Sequence, residues 1–484
     1  MLRNALFNAS GAVAAMAISV LTIPVLIRLI GIEQYGLWTL VTATVGLVGL
    51  AEAGLPVSTT VLLSRDLATD DNDGISQTLT MALGCMLLIG TTVALVLWWS
   101  ASGLAGLFTT LDDTQRATVA RSLRLGGLFI AAKLLQQITI AVGQAHRRYG
   151  VLNSLATAQA ALLSLGSIVV AWRGGTVVSI MGWYTAVSLG CLVAFAAFAW
   201  RLVAHRQPRV AFEAAKGKAL ATTSMMTWGV SLSGALFSQM DRIVVGATLG
   251  PTSLGVYGAL TSVTSKINYL SAAPIQPLLP ELSGLLAAGH RGQAAVAHRV
   301  RQAETLNVLV ALGLGLVLLA FGPLVVQILI PGKMATEYLM AFQLAVIIYA
   351  LYSPNAAGYY ILLADSPGTC LAVQTASALS SLALIFIGAR DFGLLGAVAG
   401  NAAYLGIWLL TFLGMRRLGV PPRQWTPWVA APLLWSSLIA AMTLLLSASG
   451  VGAMALLATA GVGPLLAWWW RGQVFTDWPG RHRV

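Results

Sequence analysis

FNASGAVAAMAISVLTIPVLIRLIGIEQYGLWTLVTATVGLVGLAEAGL, residues 7–55, carries Arg28, Glu33 and Glu52 and no other charged residue. Two apolar runs meet at Gly31. At about 1.5 Å of rise per helical residue, each run is long enough to cross a hydrocarbon layer of about 30 Å. Backbone polar groups in lipid must be satisfied within the span, which restricts spans to helices or a closed barrel. These runs do not alternate with period two, so a barrel is excluded.

The pattern continues along the chain as about fourteen apolar stretches of roughly 20 residues. They cover 8–30, 36–62, 76–102, 119–143, 150–172, 177–201, 220–247, 254–280, 303–331, 336–362, 367–388, 392–414, 428–448 and 451–470, the last two being the hardest to separate. With 57% hydrophobic and 9% charged residues and a mean hydropathy of +0.81, an aqueous domain could not absorb this apolar surface. The expected fold is an all-α polytopic membrane protein.

Basic residues set the orientation. With the N-terminus in the cytoplasm, eighteen Lys and Arg fall in inner connectors. Seven fall outside: Arg28, Arg116, Arg121, Arg124, Arg173, Lys333 and Arg390. This bias places both termini inside. It also accounts for the net charge of +12 without nucleic acid, since inner loops face anionic lipid headgroups. Cys85, Cys191 and Cys370 are isolated and read as small packing residues, with neither metal spacing nor a disulfide framework. No cleavable leader is expected before the first span, because its apolar stretch runs on to Arg28.

The chain also repeats. IPVLIRLIGIEQYGLW (23–38) parallels DRIVVGATLGPTSLGVYGAL (241–260), each turning at a glycine, Gly31 or Gly250, and resuming at Tyr-Gly. VGQAHRRYGVLNSL from Val142 parallels LADSPGTCLAVQTA from Leu363. WRGGTVVSIMGWYTAV from Trp172 parallels ARDFGLLGAVAGNAAY from Ala389. All three pairings share an offset of about 220 residues, which chance similarity would scatter. An even number of spans per repeat orients both halves alike, as in transporters with a cavity between halves. The expected organisation is an N-lobe over 1–201, a basic inner linker over 202–219, a C-lobe over 220–415, and two extra helices with a tail over 416–484.

Five ionisable residues lie well inside the spans: Glu52, Lys133, Asp241, Arg242 and Lys266. Each would cost about 3 kcal/mol at a lipid-facing helix centre. Spacings of three and four residues group Lys133 with Gln136 and Gln137, and Ser262 with Lys266 and Tyr269; Ser231, Ser238 and Arg242 form a third stripe. With Arg28, Arg121 and Arg124 near the outer ends, the interior leans positive, suited to a phosphate or pyrophosphate headgroup. Pairing that serves only packing is the bland alternative for any one of these residues. All five histidines, His146, His205, His290, His298 and His482, fall in inner connectors or the tail. Trp468, Trp469 and Trp470 before Arg471 read as an interfacial anchor. Pro24, Pro274, Pro277 and Pro280 are candidate kinks.

The opening stretch quoted above, with SQMDRIVVGATLGPTSLGVYGALTSV (238–263), resembles the polysaccharide-export and O-antigen flippase family. That family sits in the multidrug/oligosaccharidyl-lipid/polysaccharide exporter superfamily. The resemblance covers roughly residues 4–415. It implies two six-helix lobes around a central cavity with alternating access, and a lipid-linked oligosaccharide as substrate. By position, Asp241 and Arg242 match the family's Asp-Arg pair, and Glu52 matches an acidic residue before a glycine in the second span. The two extra C-terminal spans resemble those of lipid II flippases, which keeps that substrate open.

The leading expectation is thus a flippase of polyprenyl-pyrophosphate-linked glycan in the bacterial plasma membrane. Its substrate-cavity candidates are Arg28, Lys133, Gln136, Gln137, Asp241, Arg242, Lys266 and Tyr269, with Glu52 or Asp241 as coupling carboxylate. Without a GxxxxGK[ST] loop, an ion gradient or the membrane potential would drive it. No cofactor or metal is expected; membrane lipids, a polysaccharide polymerase and chain-length proteins are the expected partners. A drug/cation antiporter would want an acidic, aromatic cavity, and an enzyme would want a larger outer loop than 101–118.

Overall fold

The requirement that every span satisfy its own backbone is met by helices throughout the described chain. The structure is a computed structural model that describes residues 18, 20–52, 54–275, 278, 282, 294–331, 336–445 and 461–467. In chain order the helices are α1 (Val20–Ile30), α2 (Ile32–Ala68), α3 (Asn72–Gly106), α4 (Asp113–Ala145), α5 (Tyr149–Trp172) and α6 (Val177–Val203). There follow α7 (214–249), α8 (251–272), α9 (Ala294–Ala320), α10 (Thr336–Asp365), α11 (367–392), α12 (394–417), α13 (Pro422–Leu445) and α14 (461–467). Among the described residues, nine apolar segments are long enough to cross a membrane; Pro367–Arg417 joins α11 to α12, and Gln239–Ile275 joins the end of α7 to α8. The chain is therefore a multi-pass membrane protein.

Glycine makes the sharp joins. Gly31 (φ 84) separates α1 from α2, Gly250 (φ 78, ψ −179) separates α7 from α8, and Gly393 (φ 61, ψ −140) separates α11 from α12. Residues with a Cβ rarely adopt these conformations. The left-handed pairs Gly31/Gly250 and Gly174/Gly393 recur at one interval of about 220 residues, the offset of the sequence repeat. Where no such turn is needed, side chains cap the helices. Asp112 accepts from the Gln115 amide (2.7 Å), while the Gln115 side chain accepts from the Asp112 amide (3.1 Å), a reciprocal cap for α4.

Several expected continuous spans are interrupted: 303–331 breaks at Phe321, where the short helix Gly322–Leu329 follows α9, and 392–414 contains the 3-10 run Asn401–Ile407. Span 36–62 breaks at the 3-10 turn Gly49–Glu52 and the left-handed Gly54, just before Pro56. Span 336–362 breaks at the 3-10 turn Ser353–Asn355, where Pro354 withholds a backbone donor. Pro24 lies inside α1, and Pro274 sits in the 3-10 turn Ala273–Ile275 that ends α8. Pro277, Pro280, His290, His482 and the Trp468–Trp470 anchor lie outside the described residues.

The chain packs as two units, Met1–Gly258 and Ala259–Val484. The packing boundary falls between Gly258 and Ala259, within α8. In the first unit, α4 is central, packing along α3 and α6 and touching α2 and α5. Small residues permit the approach: a Cβ on Gly127 would lie 3.1 Å from the Ala94 carbonyl, and one on Gly90 would lie 3.5 Å from the Ala131 Cα. The start of α8 belongs to this unit, with Gly36 of α2 against the Pro251 carbonyl and Gly255 against the Ile32 carbonyl. In the second unit, α9 packs against α13, α10 and the end of α8. There α12 folds back on α11 through Gly388, Gly396 and Gly400.

Candidate functional site

The polar residues of the first unit gather on α4, whose apolar stripe (Leu123, Ile130, Leu134, Ile138, Val142) is buried in the bundle. Lys133 Nζ donates to Gln159 Oε1 on α5 at 3.2 Å. Gln136 and Gln159 exchange a reciprocal pair of amide hydrogen bonds at 2.9 and 3.1 Å. Both amides are buried, Gln136 at 2% and Gln159 at 4% exposure. Gln137, about 100° round the helix from Gln136, points elsewhere and donates to Glu52 Oε2 at 3.4 Å. The sequence stripe Lys133–Gln136–Gln137 is thus divided between α5 and the break in α2. Two turns further along α4, Gln144 Oε1 accepts from Thr60 of α2 at 3.2 Å.

The break in α2 is what gives Glu52 its place. A continuous helix would bond the backbone of 49–54 to itself. The 3-10 turn and Gly54 instead hold Glu52 half-buried beside α4. Nearer the start of α2, Tyr184 of α6 stacks edge-on against Trp38, with centroids 4.8 Å apart and planes at 77°. Phe129 of α4 lies 5.9 Å from the same ring.

Asp241 has a different setting. Its carboxylate is 4% exposed and accepts from the Tyr257 hydroxyl at 2.9 Å and from the Arg242 backbone amide at 2.7 Å. Tyr257 is fully buried just beyond the Gly250 turn. The Asp241–Tyr257 bond closes the α7–α8 hairpin, and Thr110 adds a bond to the Gly246 carbonyl at 3.0 Å. Arg242 is half-buried on α7, and Arg28 is exposed on α1. Lys266 and Tyr269 lie on the part of α8 that belongs to the second unit; Lys266 is half-buried and Tyr269 is 52% exposed. The side chains of Ser231 and Ser238 lie outside the described residues.

Three polar groups were not singled out from sequence. Gln159 is a lone neutral amide in an apolar span, which a search for charges passes over. Asp66 is 5% exposed and pairs with Lys216 at 2.5 Å while accepting from Thr78 at 2.7 Å. With Arg206 on Asp70 at 2.6 Å, it fastens the basic segment 202–219 to the α2–α3 end of the first unit. The Lys216–Asp66 pair, with bonds from the Arg209 and Ala211 amides to Ser76 and Thr80 at 3.2 Å, ties this cation-rich segment to α2 and α3. Glu304, one residue inside the expected span 303–331, is not among the five ionisable residues placed well inside the spans, yet its side chain is fully buried. Of the cysteines, Cys370 is buried, and Cys85 and Cys191 are half-buried; all three are free thiols.

The sequence pattern of a family described as "Polysaccharide biosynthesis protein" matches residues 1–285. A comparison with curated protein sequences returns no match. Among solved structures, the lipid II flippase MurJ in an inward closed conformation superposes with a TM-score of 0.74 at 12% identity, over 97% of this chain and 100% of that one. An inward-facing multidrug resistance MATE family transporter of the MOP superfamily gives 0.69 at 15% identity, over 84% of this chain and 94% of that one. A MOP superfamily transporter from Pyrococcus furiosus gives 0.53 at 16% identity, covering 83% and 95%. At such identities the likeness is one of fold, and that fold is the MOP transporter fold.

Proposed function

Because the chain belongs to the polysaccharide biosynthesis protein family, with the fold of MOP-superfamily transporters, we propose that it flips a polyprenyl-pyrophosphate-linked oligosaccharide. The carrier-bound glycan crosses from the inner to the outer leaflet of a bacterial plasma membrane, and both termini of the chain are cytoplasmic. The observation that carries this reading is Lys133. Its ammonium sits on a membrane helix, held by an amide oxygen at 3.2 Å. Among the described residues it makes no ion pair with a carboxylate. An ammonium placed in this way costs about 3 kcal/mol at a lipid-facing helix centre, and a pyrophosphate headgroup would offset that cost.

Gln136 and Gln159 serve in this proposal to hold the lysine rotamer, and Gln137 of α4 with Glu52 of α2 forms a second polar site. Arg28, Arg242, Lys266 and Tyr269 are further substrate contacts in the proposal, and Asp241 is a coupling candidate alongside Glu52. A polymerase and chain-length proteins would receive the flipped glycan. An ion gradient or the membrane potential would drive alternating access.

Lipid II is a second substrate candidate, favoured by α13 and the described helix 461–467 beyond the twelve repeat spans. An organic-cation antiporter is disfavoured by the same unpaired Lys133. The deciding experiment follows lipid-linked oligosaccharide by leaflet in a strain lacking this protein. Completed glycan held on the inner leaflet is the expected outcome. Normal delivery of completed units to the outer leaflet would refute the flippase reading, and would point to an enzyme if those units stayed unpolymerised.

A further inference from the structure

The second unit contains a carboxylate that nothing among the described residues neutralises. Glu304 lies on α9 at 0% exposure, and neither Oε1 nor Oε2 has a hydrogen-bond partner. One turn further along the same helix, Asn307 is equally buried; its Oδ1 accepts from the Ala356 amide at 3.2 Å, while its Nδ2 is unpartnered. Gln302 Nε2, also on α9, is a second buried donor without a partner. This helix packs on the 3-10 turn Ser353–Asn355 that interrupts α10. There Asn355 donates to the Tyr352 carbonyl and accepts from Thr411 of α12, both at 2.9 Å.

The charged and titratable groups on the elements against α9 are Tyr257, Lys266 and Tyr269 on α8, Glu337, Tyr338, Tyr349, Tyr352, Tyr359, Tyr360 and Asp365 on α10, and Arg423 on α13. Arg299 and Arg301 are on α9 itself. Asp365 pairs with Arg417 at 3.3 Å. Among the described residues, none of these groups is in hydrogen-bond or ion-pair range of Glu304.

An ionised carboxylate is not held unpaired in so dry a site; it binds a proton or a cation. The surroundings choose between them. A dehydrated metal cation needs several oxygen ligands, but the Asn307 and Asn355 side-chain oxygens are already engaged as acceptors. The unpartnered groups on α9 are N–H donors, which repel a cation and accommodate a carboxyl group. We propose that Glu304 is a proton-binding site of the transport cycle. It takes up one proton to become a neutral carboxylic acid in the packed state seen here. It releases that proton to water when α9 separates from the 353–355 turn, the ionised carboxylate then holding the unit open. This deepens the flippase reading, and rests on it for the meaning of the cycle: the coupling ion is the proton, and Glu304 on α9 is a carrier for it in addition to the candidates Glu52 and Asp241.

The test uses the full-length protein in lipid nanodiscs, with buffer pH as the only variable. Infrared difference spectra between acidic and alkaline buffer report the carbonyl stretch of buried carboxylic acids. The wild type is expected to show a carboxylic-acid band that vanishes at alkaline pH. That band should be absent in Glu304→Gln and present but displaced in Glu304→Asp. In cells, Glu304→Gln is expected to lower surface glycan at least tenfold at normal membrane abundance, with Glu304→Asp restoring export and shifting its pH profile. A Glu304→Gln difference spectrum superposable on that of the wild type would overturn the proposal. If the band belongs to Glu304 but the deletion strain flips its glycan normally, the proton site stands and the flippase reading fails.

Discussion

Replacing Gln159 by Glu puts a carboxylate where an amide oxygen now accepts from Lys133 Nζ at 3.2 Å. At an effective dielectric of about 20, two unit charges at that separation attract by about 5 kcal/mol. Part of this is spent on desolvating the new carboxylate, and Gln136 keeps an acceptor for its own amide, so the fold is expected to hold. The ammonium, however, is then neutralised locally. If a third of that attraction is withdrawn from a substrate phosphate, export falls about tenfold or more, since about 1.4 kcal/mol corresponds to a factor of ten. The assay is surface-glycan display in a deletion strain complemented with Gln159→Glu, with membrane abundance measured in parallel. Gln159→Leu is the control: it strips the acceptor from Lys133 and both bonds from Gln136, and is expected to lower abundance. Wild-type export by Gln159→Glu at normal abundance would show that the Lys133 charge is not used on the substrate.

Tyr257→Phe removes the hydroxyl donor from buried Asp241 and should lower stability by about 1.5–3 kcal/mol, the range for a hydrogen bond to a charged group. A thermal melt of the purified protein reads this, and an unchanged midpoint would remove Asp241–Tyr257 as the fastening of the α7–α8 hairpin. Gly36→Ala drives a Cβ into the Pro251 carbonyl oxygen, with the Gly255 amide nitrogen 3.1 Å away. Backbone cannot yield as a side chain can, so a loss of about 3 kcal/mol, the upper end for overpacking, is expected by the same melt. At the N-terminal end of α4, the Thr114 hydroxyl and then the Gln115 backbone amide hold the Asp112 carboxyl below its ordinary value. A group with a depressed folded value contributes stability above its unfolded value and loses it as pH falls through the folded one. The melting difference between wild type and Asp112→Ala should therefore be present at neutral pH and close in acid; a difference that persisted there would assign the cap to backbone shape alone.

The helical, membrane-spanning character of the chain is a local property, and the sequence determined it. Each apolar run must satisfy its own backbone in lipid, so spans such as Asn72–Gly106 and Tyr149–Trp172 are visible in any window that covers them. The turns at Gly31 and Gly250 were legible for a related reason: a glycine between two long apolar runs marks where the backbone needs a left-handed residue. The grouping of Lys133 with Gln136 also follows from helical spacing. What those residues meet does not. Gln159 joins them, Gln137 turns away to Glu52, and Tyr257 reaches back to Asp241, because helices distant in sequence lie side by side at particular rotations. The break at 49–54 and the isolation of Glu304 are likewise products of packing. Hydropathy sums over neighbours in the chain, whereas a charge in a membrane helix is answered, or left unanswered, by neighbours in space, and only the tertiary structure decides who those are.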